Sequence, residues 1–421
     1  MINVIELFAG VGGFRIGLEA VGGFGVVWGN QWEPSKKVQH AFDCYARRFE
    51  GQGIHSNEDI STVNAHTFKG HSIDMIVGGF PCQDYSVARS LNGEKGLQGK
   101  KGVLFWEITR LMKETNPKYV LLENVDRLLK SPSKQRGRDF SIMLASLRDL
   151  GYSVEWRIIN AAEYGKAQRR RRVFIFATKN ETSYVINRRN VDESKMIHEE
   201  GFFAKAFPVK EGISEKKKPQ SFIMKKDLVE ISDDFSMNYY NSGIMRDDLV
   251  YTEEVTPKEE SPVSLREILQ SGVDERFYLS EAAIDKFKYL KGPKKIERTS
   301  ATGHKYIFSE GGMAFPEPLE RPGRTMLTSE GTVNRSTHVV EDPETNRLRF
   351  LTPVECERLN GFPDEWTEGM TERMRYFCMG NALVVGLIER MGKIILEIEK
   401  ENIDGNQEEL DLVYSDTGLN E

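Results

Sequence analysis

The chain has 421 residues, 39% of them hydrophobic and 29% charged, with a formal net charge of −6; this is the make-up of an ordinary soluble globular protein with room for two or three domains of roughly 150 residues. No apolar run approaches the ~20 residues of a membrane span, and the start MINVIELF lacks the basic and apolar stretches of a leader, so a cytoplasmic protein is expected. Four cysteines (Cys44, Cys82, Cys356 and Cys378), with no Cys-x-x-Cys pair and no matching histidine spacing, argue against a disulfide framework and against a metal site.

The chain opens with the apolar run NVIELFAG, which predicts a first strand ending in glycine; GGFRIGLEAVG continues at helical spacing. GFGVVWGNQWE predicts a second strand and PSKKVQHAFDCYARRF a second helix. SIDMIVGGF, KYVLLENV and RRVFIFAT are further buried strands, and VLFWEITRLMKETNP and FSIMLASLRDLGYS are helices between them. Strands alternating with helices predict an α/β fold with a doubly wound parallel sheet, in which ligands sit beyond the carboxyl ends of the strands. From about Lys179 to about Pro318 the pattern turns polar, lysine-rich and irregular (SEKKKPQSFIMKKD, GPKKIERTSATG), which predicts a second domain of short strands and long loops. Regular spacing returns in LTPVECERLNGFPDEW and in GNALVVGLIERMGKIILEIEKE, an amphipathic helix of about six turns. From Glu397 to Glu421 nine acidic residues face one lysine, so residues 1–396 carry a net +2. Net acidity therefore says little against an anionic partner, because a local patch decides that.

FAGVGG (Phe8 to Gly13) lies at a strand-to-helix turn, where glycines let backbone approach a ligand and the helix start offers free N–H groups. Counting from Gly10, the sixth position of a dinucleotide fingerprint is Arg15, which disfavours NAD. The pattern is nearer to a loop that holds S-adenosylmethionine, though alone it fits a tight turn equally well. Such a loop calls for a polar group at the end of the second strand for the ribose and an acceptor near the adenine. NQWE (Asn30 to Glu33) and EDIS (Glu58 to Ser61) supply candidates, and Trp32 a flat face; taken singly, these are also solvated turn residues and a core tryptophan.

In GGFPCQDYS the strand ends at Phe80, which puts the Cys82 thiol at the rim of the crevice rather than inside an element. An active thiol needs cationic or hydrogen-bonding neighbours. Glu123, in ENV at the end of KYVLL, comes beside Cys82 if those two strands are adjacent. Gln168 to Arg172 (QRRRR) precede the strand VFIFA, where alternation sends Arg170 and Arg172 to one side and Arg169 and Arg171 to the other.

GFPCQ, ENV, QRRRR ahead of a strand, and GNA near the end, in this order and spacing, resemble the DNA (cytosine-5) methyltransferases of bacterial restriction-modification systems. The resemblance covers the first 180 residues and the last 100 almost continuously. It implies a Rossmann-like S-adenosylmethionine-dependent catalytic domain (1–185), a smaller and irregular target-recognition domain (186–345), and a return segment with a C-terminal helix (346–402). An acidic tail (403–421) is expected to be disordered. Duplex DNA as substrate, a monomeric state and pairing with a cognate restriction endonuclease come with the same resemblance.

Residue by residue, it makes Cys82 the nucleophile that adds to C6 of cytosine, since C5 accepts a methyl group only after that addition. Glu123 would hold N3 of the base, and Arg170 and Arg172 would orient the base carbonyl and the carboxyl. Phe8, Ala9, Gly10, Val11, Gly12, Gly13, Trp32, Asp59, Ile60, Pro81, Leu104, Asn381 and Ala382 would line the cofactor pocket. Gln31 stands where the family commonly has an acidic residue, so the ribose contact rests on a weaker hydrogen bond. Ala382 replaces a frequent serine. The segment Asp84 to Lys101, with glycines at 93, 96 and 99, would close over extruded DNA through Ser86, Arg89, Lys95 and Lys100.

Three other readings compete. A non-catalytic homologue would be expected to have lost one of Cys82, Glu123, Arg170 or Arg172. A transfer-RNA cytosine-5 methyltransferase of the same family shares those groups but is compact where this chain has about 140 polar, irregular residues. A Rossmann dehydrogenase would bind nicotinamide.

Overall fold

A computed structural model describes residues 1–80 and 104–416, except Ser35, Lys69, 213–216, 235–236 and 301–302, and the side chains of 65, 234 and 406–416. Contacts divide the chain into two compact units: residues 1–160, 171–259 and 385–421 form one, and 161–170 with 260–384 the other. The limits implied by the family resemblance are different. Residues 186–259, expected in the recognition domain, lie in the first unit because their strands extend its sheet.

The first unit is built on ten strands. In chain order they are β1 (Ile2–Leu7), β2 (Phe24–Asn30), β3 (Ile54–Ser56), β4 (Met75–Gly79), β5 (Tyr119–Val125), β6 (Tyr152–Asn160), β7 (Arg171–Lys179), β8 (Gln220–Ile223), β9 (Ser242–Arg246) and β10 (Leu249–Glu253). Across the sheet the order is β3-β2-β1-β4-β5-β7-β6-β9-β10-β8. The pairings from β3 to β5 are parallel, and those from β5 to β8 are antiparallel. The expected α/β class therefore holds, but a wholly parallel sheet does not. After β5 a pair of nine-residue strands, β6 and β7, folds back with only 161–170 between its members, too short a link for a helical crossover. β6 was not anticipated at all.

Helices α1 (Gly13–Val21), α2 (His40–Arg48), α3 (Leu104–Thr115) and α4 (Arg138–Asp149) alternate with the early strands. β4 and β5 are apolar and buried along almost their whole length, as parallel strands covered on both faces must be. In the core, Ile5, Leu7, Trp28, Ile76, Phe105, Leu122, Phe140 and Trp156 lie in one continuous cluster. The last helix (Val385–Asp416) returns to α1: a Cβ at Gly17 would sit 2.6 Å from Ile388 Cβ, so only glycine allows that approach. Glu399 on this helix accepts hydrogen bonds from Lys118 Nζ at 2.6 Å and from the Tyr119 hydroxyl at 2.7 Å. The helix runs to Asp416, where a disordered tail from 403 was expected; NIDGNQEELDLVYSD contains no proline, and its acidic and leucine positions sustain helix.

The second unit holds short elements. β11 (Lys294–Thr299) pairs with β12 (Lys305–Glu310), and β13 (Val339–Glu341) with β14 (Leu348–Phe350). Helix Pro353–Asn360 starts in a Thr352/Glu355 capping box. Fully buried Arg349 bonds to Asp342 at 2.7 Å and to both oxygens of Glu355 at 2.8 and 2.9 Å, so ion pairing organises much of this interior.

Candidate active site

The loop after β1 bends sharply. Phe8, Gly10 and Gly12 have φ of 54°, 57° and 91°, in the left-handed region that costs glycine nothing. A Cβ at Gly12 would lie 2.5 Å from the Phe49 ring, whereas one at Gly10 would meet nothing within 4 Å. Gly12 is thus required by packing, and Gly10 presents bare backbone to open space. Val11 and Ala9 are buried, Gly13 begins α1, and Phe8 packs with Leu104, at the start of α3, against the core.

Gly10 donates its N–H to Gln31 Oε1 at 2.8 Å. The side chain that departs from the family pattern therefore ties the loop to the end of β2. Among the described residues its Nε2 has no partner, so Gln31 can donate to a ribose oxygen where a carboxylate would accept. Trp32, next along, is 38% exposed, unusual for so large an apolar surface. Asp59 accepts from Ser61 N at 3.0 Å and Ser61 Oγ at 2.9 Å, which caps a short turn over Ile60–Thr62. Ile60 is buried, and its carbonyl accepts from Arg110 at 3.0 Å. Asn30 binds the backbone of Glu58 at 2.9 Å, joining the ends of β2 and β3.

Beneath the loop lies a group the sequence reading missed. Glu6 is fully buried in β1; it accepts from the Tyr45 hydroxyl at 2.9 Å and from Arg15 N at 3.4 Å. Burial pushes its carboxyl up to about 7, against the opposing pull of Tyr45 and Arg15. Gly29 makes room for Tyr45, since a Cβ there would lie 2.2 Å from its hydroxyl. A lone carboxylate inside the apolar run INVIEL was the available signal.

β4 and β5 are neighbours, with Gly79 beside Glu123. Gly78 is forced by β1, as its Cβ would lie 2.7 Å from Leu7 O; a Cβ on Gly79 would lie 3.2 Å from Glu123 Oε2. Glu123 Oε1 is 2.7 Å from Arg172 Nε, both side chains being largely covered. Asn124, also missed as an individual residue, is buried and donates to Phe80 O at 3.0 Å, fixing the chain just before Pro81. Arg172 reaches Glu123 because β7 runs antiparallel to β5, so residues at the start of β7 share an edge with residues at the end of β5; Val125 pairs with Arg172. In a wholly parallel sheet the arginine run would lie at the opposite edge.

Arg170 belongs to the second unit. It is buried and donates to Met326 O and Gly380 O, both at 3.2 Å. Gln168 beside it bonds Asn360 Oδ1 at 2.9 Å and accepts from Met326 N at 3.0 Å. Asn381 and Ala382 are in the same unit, at the end of helix Glu372–Asn381, where Ala382 N donates to Cys378 O at 2.9 Å. Gly380 has no alternative residue, for a Cβ would lie 2.5 Å from Thr328 N. Pro81, Cys82, Ser86, Arg89, Lys95 and Lys100 lie outside the described residues. Cys44, Cys356 and Cys378 are buried, and none of the three is in a disulfide.

The family model for C-5 cytosine-specific DNA methylase matches residues 2–397. Over 400 residues the chain is 59% identical to the type II methyltransferase M.Sau3AI of Staphylococcus aureus, covering 94% of this chain and 96% of that one. It is 27% identical over 392 residues to the type II methyltransferase M.HhaI of Haemophilus parahaemolyticus, covering 92% of each. The crystal structure of S. pombe Dnmt2 methyltransferase shares the fold, with a TM-score of 0.57 at 17% identity over 94% of this chain and 99% of that one. No helix among the described residues is long and apolar enough to cross a membrane. By its match along nearly its whole length, the chain belongs to the C-5 cytosine-specific DNA methylase family.

Proposed function

We propose that the protein transfers a methyl group from S-adenosylmethionine to C5 of a cytosine extruded from duplex DNA, in one sequence context, as the protective enzyme of a restriction-modification system. The observation that carries this reading is the Glu123–Arg172 ion pair at 2.7 Å. It stands beside the last residue of β4, three positions before Cys82.

The residues divide the chemistry between them. S-adenosylmethionine, when bound, supplies an electrophilic methyl group on a sulfonium. The open space over Gly10 leaves room for it, and the Nε2 hydrogens of Gln31 and the exposed face of Trp32 suit its ribose and adenine portions. Addition of the Cys82 thiolate to C6 of cytosine makes C5 nucleophilic. Glu123 holds N3 and gives it a proton as density flows into the ring, and Arg172 fixes the direction of that carboxyl. After methylation a base takes the C5 proton, the C5–C6 double bond re-forms and the Cys82 sulfur leaves. Arg170 acts on Met326 and Gly380 as a positioning residue.

Bisulfite sequencing of DNA from cells expressing the protein tests the reaction, the base and its context together. Cytosines protected in one recurring sequence are expected; protection only in transfer RNA, or none, would overturn the proposal. Cys82→Ala is expected to abolish methylation and to leave methyl-donor binding intact. With the methyl donor present, a duplex carrying 5-fluorocytosine should trap the wild-type chain covalently, because after methyl transfer C5 has no proton to lose, and the variant should stay free.

A further inference from the structure

Among the described residues, β11 and β12 form a two-stranded ribbon of their own. Each strand has six residues, giving a finger ~20 Å long. Nearly all of it is exposed, including Ile296 at 37%, Tyr306 at 43% and Ile307 at 70%, an apolar load that a solvated hairpin does not ordinarily carry. Its feet are fixed. Arg335 donates to Leu290 O and Gly292 O ahead of β11 and to Gly311 O after β12. Between them, buried Lys291 bonds Glu317 at 3.0 Å and Thr337 O at 2.7 Å.

The two faces differ. Register places Ile296 opposite Phe308 and Arg298 opposite Tyr306, so these four side chains share one face. The Arg298 guanidinium lies 3.8 Å over the Phe308 ring, which holds its planar donor fork flat against the ribbon. The other face carries Lys295, Glu297, Lys305 and Ile307, with Lys305 paired to Glu297 at 3.5 Å. Residues 294–310 hold four lysines and arginines against two glutamates, a net +2 in a chain of net −6. Among the described residues neither Lys295 nor Arg298 has an acidic partner.

We infer that this ribbon enters the major groove of the DNA substrate and that Arg298 reads a guanine there. The inference rests on the DNA-methylating function proposed above and names the residue that sets its sequence choice. The major groove admits a two-stranded ribbon, and a stacked arginine presents the bidentate fork that matches guanine O6 and N7. Ile296 and Tyr306 flank it with apolar surface of the kind that meets thymine methyl groups. Lys295, on the other face, meets phosphate. Charge favours nucleic acid over a second protein strand, because lysines along both unpaired edges oppose strand addition.

The test uses the full-length protein and a pool of duplexes that differ at single positions of its methylation site, read by bisulfite sequencing. Arg298→Ala and Arg298→Lys are expected to lose roughly 10- to 100-fold of discrimination at one guanine-containing position, with the other positions unaltered. Lys295→Ala is expected to weaken binding to all duplexes alike and to lower the salt dependence by about one phosphate contact. Methyl-donor binding by each variant, unchanged, shows that the chain is folded. Unaltered discrimination in both Arg298 variants, or a loss spread evenly over all positions, overturns the inference. So does a change in oligomeric state with discrimination intact, which would make the ribbon a protein-docking surface. If the wild-type protein methylates none of the duplexes, it is the parent reading that fails.

Discussion

The parallel and antiparallel halves of the large sheet contribute to the site in different ways. From β3 to β5 every strand ends at the same edge, so the glycine loop, Gln31, Asp59 and Glu123 gather there by topology alone. Beyond β5 the direction reverses, and the same edge receives strand beginnings; that is how Arg172 meets Glu123. The parallel half makes the crevice, and the reversal delivers a cation to it.

Each half hides a carboxylate in a strand next to its centre that a tyrosine bonds. Glu6 takes the hydroxyl of Tyr45 at 2.9 Å; Glu155, in β6, takes that of Tyr184 at 2.6 Å and the N–H of Phe202 at 3.2 Å. Burial raises both carboxyls above the ordinary range. Only Glu6 also bonds the helix that begins at the glycine loop, through Arg15 N.

The largest effect is expected where the halves meet. Arg172→Ala removes the group that aims Glu123, and by analogy with loss of one preorganised electrostatic partner kcat should fall about 10²- to 10³-fold. Methyl-donor affinity, which the proposed function assigns to the parallel half, should not change. Equal losses in kcat and donor affinity, measured by single-turnover methylation and donor titration, would break the division of labour between the halves.

A second contrast sets Glu6→Gln against Glu155→Gln. A carboxyl raised in the folded state stabilises fully below its unfolded value near 4.5, and that contribution is lost as pH rises towards the folded value of about 7. The wild-type chain should therefore lose up to about 3 kcal/mol relative to Glu6→Gln between pH 4.5 and 7, read by denaturant unfolding across that window. Any pH dependence of donor affinity that comes from Glu6 follows the folded carboxyl, so it should centre near pH 7 in the wild-type chain and be absent in Glu6→Gln. Glu155→Gln should alter unfolding alone; an effect on donor affinity would erase the distinction.

The same contrast decides what could be read from the sequence. β1, β4 and the glycine loop were legible because apolar runs end in glycine, β5 because YVLL is an unbroken apolar run, and Glu123 and Arg172 because each borders such a run. Strand direction was not legible: nothing in VFIFA tells that β7 runs back along β5. β6 was hidden by its own charges, for Glu155 and Arg157 break its apolar pattern and find partners only in folded structure. Arg157 donates to Phe203 O at 3.2 Å and Phe207 O at 3.0 Å, carbonyls 46 and 50 residues further along the chain. Residues 186–259 looked foreign to the sheet because polar loops outnumber the short, buried β9 and β10. Arg170 and Arg172 looked equivalent by alternation, yet the chain leaves one compact unit for the other between them.

The smallest expected effect probes the carboxyl from the parallel side. A Cβ at Gly79 would stand 3.2 Å from Glu123 Oε2, tight enough to move the end of a side chain by a few tenths of an ångström, while its backbone is ordinary strand. Gly79→Ala should cost little stability, because a strand alanine loses less entropy than glycine and the crowded atom can yield. It should still turn the carboxyl about its Arg172 contact and slow methylation by about 10-fold, since small misplacements at a reacting centre are costly. The slowing should appear in kcat with the thermal midpoint nearly constant. If Gly79→Ala matched the wild-type rate, the aim of Glu123 would be set by Arg172 alone, and the antiparallel half would control the carboxyl without help from β4.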